Sequence, residues 1–102
     1  MTNSRRRKER PTMTPNAYMD HDKKFYYVEI ELPGVRKEDV ELTVSDQGFC
    51  VRAPRDDIEF LGCFILAHLA ETDLTRAKFE NGMLSMEIPL KKLQKEKKVT
   101  IE

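Results

Sequence analysis

The stretch AKFENGMLSMEIP, Ala77–Pro89, decides how the rest of the chain is read. Ala77–Glu80 runs into the dipeptide Asn81-Gly82. Beyond it, Leu84, Met86 and Ile88 alternate with Ser85 and Glu87. Alternation with a period of two marks a strand with one buried face. Asn-Gly is the pair that most readily takes positive φ at both central positions of a tight hairpin turn. The stretch therefore predicts two antiparallel strands around a two-residue turn.

The same pattern repeats on working outward. In KFYYVEIEL, Tyr26, Val28, Ile30 and Leu32 alternate with Phe25, Tyr27, Glu29 and Glu31. Pro33-Gly34 ends that strand, because Pro presets one turn torsion and Gly supplies a left-handed one. VELTV alternates again, with Val40, Leu42 and Val44 on one face. After the turn SDQG, FCVRA puts Phe49, Val51 and Ala53 inward. PRDDI, residues 54–58, is a tight connection. The next run, EFLGCFILAHL, is apolar on both faces: Phe60, Gly62, Phe64 and Leu66 point one way, Leu61, Cys63, Ile65 and Ala67 the other. AETDLTR reads as a loop. About seven short strands with frequent turn signals and no long helix predict an all-β chain, an antiparallel immunoglobulin-like β-sandwich.

A chain of 102 residues is one domain. No apolar run approaches ~20 residues, so no membrane helix is expected. The basic N-terminus is not followed by the apolar segment of a secretion signal, and a cytoplasmic protein is expected. The formal net charge of zero hides a pattern. Residues 1–16 carry five basic and one acidic side chain, residues 17–90 eight basic and fifteen acidic, and residues 91–102 five basic and two acidic. An acidic body over 17–90 is thus flanked by a basic N-terminal tail over 1–16, expected disordered, and a charged linker with a terminal segment over 91–102. RRRKER is short and has no interleaved aromatics. A solvated tail is expected rather than a nucleic-acid or acidic-partner contact.

No catalytic constellation emerges. The four glycines stand singly, so no phosphate loop exists, and no histidine pattern activates a serine. Asp56-Asp57 lies in a turn, where Asp favours the backbone. Two Cys and two His fall short of a structural zinc set, and His21 and His68 read as surface or packing residues. Neither an enzyme, a metal nor a cofactor is expected. If PRDDI closes a hairpin centred between Asp56 and Asp57, Cys50 and Cys63 face each other on the outer side of adjacent strands. Two reduced thiols are expected there, since cytoplasm is reducing and a bridge between such positions is strained.

AKFENGMLSMEIP resembles the A-x-x-x-N-G-x-L signature of the alpha-crystallin domain, carried here by Ala77, Asn81, Gly82 and Leu84. VEIELPGVRKEDVELTV resembles the same domain's strand, Leu-Pro-Gly turn and following strand. Phe64 and Leu66 match its Phe-x-Leu pair, and Val99-Thr100-Ile101 resembles its C-terminal Ile/Val-x-Ile/Val anchor. The chain resembles a short small heat-shock protein of archaeal or bacterial type over roughly residues 17–101. The resemblance implies an ATP-independent holdase that binds partly unfolded client polypeptides and assembles into dimers or larger oligomers. It also implies that Val99 and Ile101 insert into a groove of a neighbouring sandwich, between the strand of Val40, Leu42 and Val44 and the strand of Ala77 and Phe79. A frayed end is the alternative.

Three departures from the family pattern stand out. The N-terminal region is short and polar. PRDDI is too short for the loop and extra strand that bacterial, plant and archaeal relatives exchange between partners. Ala67 stands where proline is usual. The second apolar face, Leu61, Cys63, Ile65 and Ala67, offers another route to self-association or client contact, or is covered by the chain's own tails. A co-chaperone-like adaptor and a structural accessory protein on the same sandwich are the competing functions.

Overall fold

The computed structural model describes residues 10–91 and 98–102. Eight strands follow one another: β1 (Thr12–Met13), β2 (Ala17–His21), β3 (Phe25–Glu31), β4 (Glu41–Ser45), β5 (Gly48–Pro54), β6 (Glu59–Ile65), β7 (Arg76–Glu80) and β8 (Met83–Pro89). They form two four-stranded sheets, ordered β1-β6-β5-β4 and β2-β3-β8-β7. All neighbours are antiparallel except β1 and β6. The predicted sandwich is therefore correct, and the described residues contain no α-helix, only short 3-10 turns at Lys37–Asp39 and Thr72–Leu74.

The opening hairpin forms as its sequence requires. Glu80 pairs with Met83, and Asn81 and Gly82 have φ of 51° and 77°. Both central residues are left-handed, the torsions of a type I′ turn. The ladder continues past the turn, where the Leu32 N–H donates to the Gly82 carbonyl at 2.7 Å. Pro33-Gly34 also turns as expected: Gly34 has φ 81°, and the Val35 N–H donates back to the Leu32 carbonyl at 3.2 Å. A Cβ on Gly82 would meet only ordinary contacts, the nearest being Pro33 Cα at 3.4 Å. Torsion rather than space therefore holds glycine there. Gly82→Val is expected to cost about 1–3 kcal/mol, since a β-branched residue is strained at positive φ. Its melting temperature should fall by roughly 4 °C or more; an unchanged value would exclude the turn type.

The core lies between the sheets and consists of the residues that alternation pointed inward. Val28, Ile30, Leu32, Val51 and Ile88 are fully buried, with Phe49, Phe60, Leu84 and Met86 around them. Each large aliphatic contributes about 1.5–3 kcal/mol on leaving water. At the rim, the Asp22 carboxylate accepts from the N–H groups of Lys24 and Phe25 and from the Tyr27 hydroxyl, closing the β2–β3 turn. These bonds, that from Lys24 foremost, hold its pKa below the ordinary value.

The expected disorder of residues 1–16 needs correcting over its second half. The Pro11 carbonyl accepts from the Glu59 N–H at 2.9 Å, Thr12 and Met13 pair in parallel with Glu59 and Phe60, and Pro15 is buried. Two paired residues and one buried proline leave no periodicity to detect. Residues 1–9, with most of the basic motif, lie outside the described residues, as do linker residues 92–97. The doubly apolar run is also shorter as a strand than expected. β6 ends at Ile65, and Ala67 lies in a bend beyond it.

Candidate functional site

Two surfaces gather the residues singled out in the sequence. The first is the flank between β4 and β7. Only three residues, Thr14–Asn16, separate β1 from β2, about the span of the ~10 Å between packed sheets. β1 and β2 therefore share one flank, and the strand orders leave β4 and β7 at the other. Among the described residues each pairs on one side only, β4 with β5 and β7 with β8. Val40, Leu42, Val44 and Phe79 are half-buried and packed against the core. Ala77, opposite the buried Met86, points inward yet is exposed. The inner side of the β7 edge is thus open to solvent at Ala77. Val99 and Ile101 do not occupy it: they are 78% and 93% exposed.

The second surface is the outer face of the β1-β6-β5-β4 sheet. At one end Arg52 donates to Glu41 and Glu59, both at 3.0 Å, across three strands. Beyond this polar row come Leu61, Cys63 and Ile65. Leu61 is 43% and Ile65 86% exposed; Cys63 and Ala67 are exposed too. The described tail residues leave this face uncovered. Ala67 is not part of the strand's row, being in the bend.

The hairpin register is as expected, with Cys50 opposite Cys63. Their oxidation state is not: the two form a disulfide, with Cα atoms 4.1 Å apart. The expectation of reduced thiols came from the compartment. Direct opposition on one face puts the two sulfurs within bonding reach.

The charged connection Arg55–Ile58 is structural. Arg55 donates to the Pro33 carbonyl, pairs with Asp57 at 2.8 Å and lies over the Phe60 ring at 5.4 Å. It thereby ties the β5–β6 hairpin to the Pro33-Gly34 turn, and its hydrogen bond holds the Asp57 pKa low. His21 and His68, unrelated in sequence, come together with ring centroids 5.4 Å apart beside Tyr26. The Tyr26 hydroxyl accepts from the His68 N–H at 3.1 Å. This is packing, and no group of three metal-ligating side chains occurs among the described residues. Sequence reasoning missed a concavity of about 720 Å³ over the outer face of the other sheet, with Tyr18, Tyr27, Lys78 and Glu87 in its lining. The Tyr18 hydroxyl donates to Glu31 at 3.3 Å, and that carboxylate raises its pKa. Only the register, which places Tyr18 beside Glu29 and Lys78 beside Ser85, brings these residues together.

The comparisons agree with the geometry. The chain is 28% identical over 107 residues to the 18 kDa antigen 2 of Mycobacterium avium, covering 90% of this chain and 76% of that protein. Its fold matches heat shock protein 16.0 of Schizosaccharomyces pombe with a TM-score of 0.69 at 23% identity, over 88% of this chain and 99% of that one. It matches a small heat-shock protein of Xylella fastidiosa with a TM-score of 0.69 at 17% identity, over 88% and 97%. With the Hsp20/alpha crystallin family model matching residues 18–102, β2 through the terminal segment, the chain belongs to that family.

Proposed function

We propose that this chain is an ATP-independent holdase that binds partly unfolded polypeptides and assembles with copies of itself. The observation that carries the proposal is the uncovered apolar row on β6, where Ile65 is 86% exposed on an otherwise polar sheet face. Such a row supports contact with the apolar segments that an unfolding client exposes. The terminal segment, with Val99 and Ile101 free of the chain's own groove, supports assembly through a neighbour's β4–β7 flank. Membership of a family of non-enzymatic chaperones supports a chain without catalysis or cofactor. No helix among the described residues is long and apolar enough to cross a membrane. A cytoplasmic location belongs to the same proposal.

The test is aggregation of a heated model client, followed by light scattering without ATP. The wild type is expected to suppress scattering at near-stoichiometric ratio. The double variant Leu61→Ser/Ile65→Ser should need several-fold more protein for the same effect. Equal potency of the two would remove this face from the mechanism.

One observation favours a second reading. The β5–β6 connection is closed within Arg55–Ile58, the Arg55 N–H donating to the Ile58 carbonyl at 2.9 Å. No loop there reaches a partner, as expected of a monomeric adaptor or a structural accessory protein. A monomer in solution that fails to protect clients would establish that reading instead.

A further inference from the structure

Cys50 and Cys63 occupy a place suited to chemistry with another molecule. They oppose each other within the β5–β6 ladder, and the pairs Phe49–Phe64 and Val51–Gly62 flank them. Their side chains lie on the outer face, so the core contains neither sulfur. The two differ in access: Cys63 is exposed and Cys50 half-buried. Leu61 and Ile65 stand two residues to either side of Cys63 on the same face, about 7 Å along the strand. Among the described residues, the far side of β6 pairs only with Thr12 and Met13, opposite Glu59 and Phe60. None of the described residues pairs with that edge beside Cys63.

Disulfides constrain the unfolded chain most when they close long loops. This one spans a sequence separation of 13, so the loop it closes is a short one. Losing the bond removes no core contact and no register pair. The reduced form is therefore expected to keep the same fold, which is what a reversible redox pair needs.

We propose that the Cys50–Cys63 bridge is a thiol–disulfide exchange site whose substrate class is the cysteine thiol of an extended, partly unfolded polypeptide with apolar neighbours. The arrival of such a polypeptide rests on the holdase reading; the chemistry does not. The substrate thiolate attacks the Cys63 sulfur, the accessible one of the pair. A bond forms between substrate sulfur and Cys63 as the Cys50–Cys63 bond breaks. Cys50 leaves with the electron pair as a thiolate and takes a proton from water. Leu61 and Ile65 hold the apolar neighbours of the substrate cysteine, and the edge of β6 accepts its extended backbone. Two exits follow. Attack of the Cys50 thiolate on Cys63 expels the substrate thiolate unchanged, so capture is reversible. Attack by a second substrate thiolate on its own bridged sulfur expels Cys63 as a thiolate. The substrate is then oxidised to a disulfide by two electrons, and Cys50 and Cys63 remain reduced.

The experiment uses the oxidised full chain and three reduced probes. One is a short peptide with a single cysteine flanked by leucine and valine, one the same peptide with serines as flanks, and one glutathione. Samples are quenched with acid, and mixed disulfides are located by mass spectrometry. The expected result is attachment at Cys63, at least tenfold faster for the apolar peptide than for its serine counterpart. In Leu61→Ser/Ile65→Ser that ratio should fall to near one. Circular dichroism of Cys50→Ser should match the wild type, showing that the fold does not need the bridge. No adduct with any probe under native conditions would make the bridge a static staple. Attachment at Cys50, or equal rates for the two peptides in the wild type, would equally overturn the proposal. No client aggregation is measured, so failure here leaves the holdase reading standing, and failure of that reading leaves the exchange measurable.

Discussion

Replacing Gly48 by alanine is expected to destabilise the sandwich by about 2–3 kcal/mol, the upper part of the range for overpacking a closed site. Gly48 opens β5 and pairs with Ile65 at the end of β6. A Cβ there would stand 2.2 Å from the Phe64 carbonyl oxygen and 3.2 Å from the Ile65 Cα. Both atoms are backbone, so no side-chain rotation relieves the clash. Either the β5–β6 ladder opens at that end or β5 shifts against its neighbours. Opening it disturbs more than one pair. The Leu66 N–H donates to the Gln47 carbonyl at 2.9 Å and the Ala70 N–H to the Asp46 carbonyl at 2.8 Å, and Leu66 and Ala70 are both buried. The β4–β5 turn is therefore anchored to the segment after β6, and a shift reaches the core. For a chain of this size the loss corresponds to a melting temperature lower by roughly 10–20 °C. Thermal unfolding followed by circular dichroism measures it. A shift of only a degree or two would mean that the strand ends part without cost to the core.

That position shows where the sequence was legible and where it was not. Asn81-Gly82 and Pro33-Gly34 announce their turns because residue type alone fixes the torsions. Gly48, in SDQG, reads as an ordinary turn glycine, since its requirement comes from a carbonyl sixteen residues away and not from its own φ. The inward rows of β3, β5 and β8 were readable from alternation, and the Cys50–Cys63 opposition from the centre of a tight hairpin. The parallel pairing of Thr12 and Met13 was not, because it is set by the β6 edge rather than by local pattern. The candidate surfaces divide in the same way. Leu61 and Ile65 betrayed themselves as apolar residues at outward positions. Ala77 and Phe79 gained a role only through resemblance, and the exposure of Ala77 on an inward row supports it. The meeting of His21 with His68 at Tyr26 depends on a bend after β6 that no short stretch encodes. Function follows the same limit. A sandwich is a scaffold, so what the chain does is argued from its exposed apolar residues and from its family.

Removing the terminal anchor is expected to collapse any assembly larger than a dimer while leaving the sandwich folded. In an extended segment Val99 and Ile101 would lie on one side with Thr100 opposite, and both are exposed. The ten residues from Pro89 to Val99 reach at most about 35 Å. That distance spans to a neighbouring subunit's β4–β7 flank. There the side chains would meet Val40, Leu42 and Val44 on one wall and Ala77 and Phe79 on the other. Burying one Val and one Ile contributes roughly 3–6 kcal/mol. Ordering the linker and losing rigid-body freedom cost a comparable amount. A single tail acting as an anchor would therefore bind only weakly, in the millimolar range at best, which takes a net of about 4 kcal/mol, and several tails would have to act on one assembly to hold it together. Such an assembly is sensitive, because every tail is weakened at once. Val99→Ala/Ile101→Ala, or deletion of residues 99–102, should shift the mass toward dimer or monomer at matched concentration. Ala77→Glu should do the same from the receiving side, by placing a charge in the groove without touching the core. Multi-angle light scattering measures the mass, and the thermal transition shows that the fold persists. If the wild type is a monomer, or if the truncated chain keeps the wild-type mass, the tail is not an anchor and the adaptor reading becomes the better account.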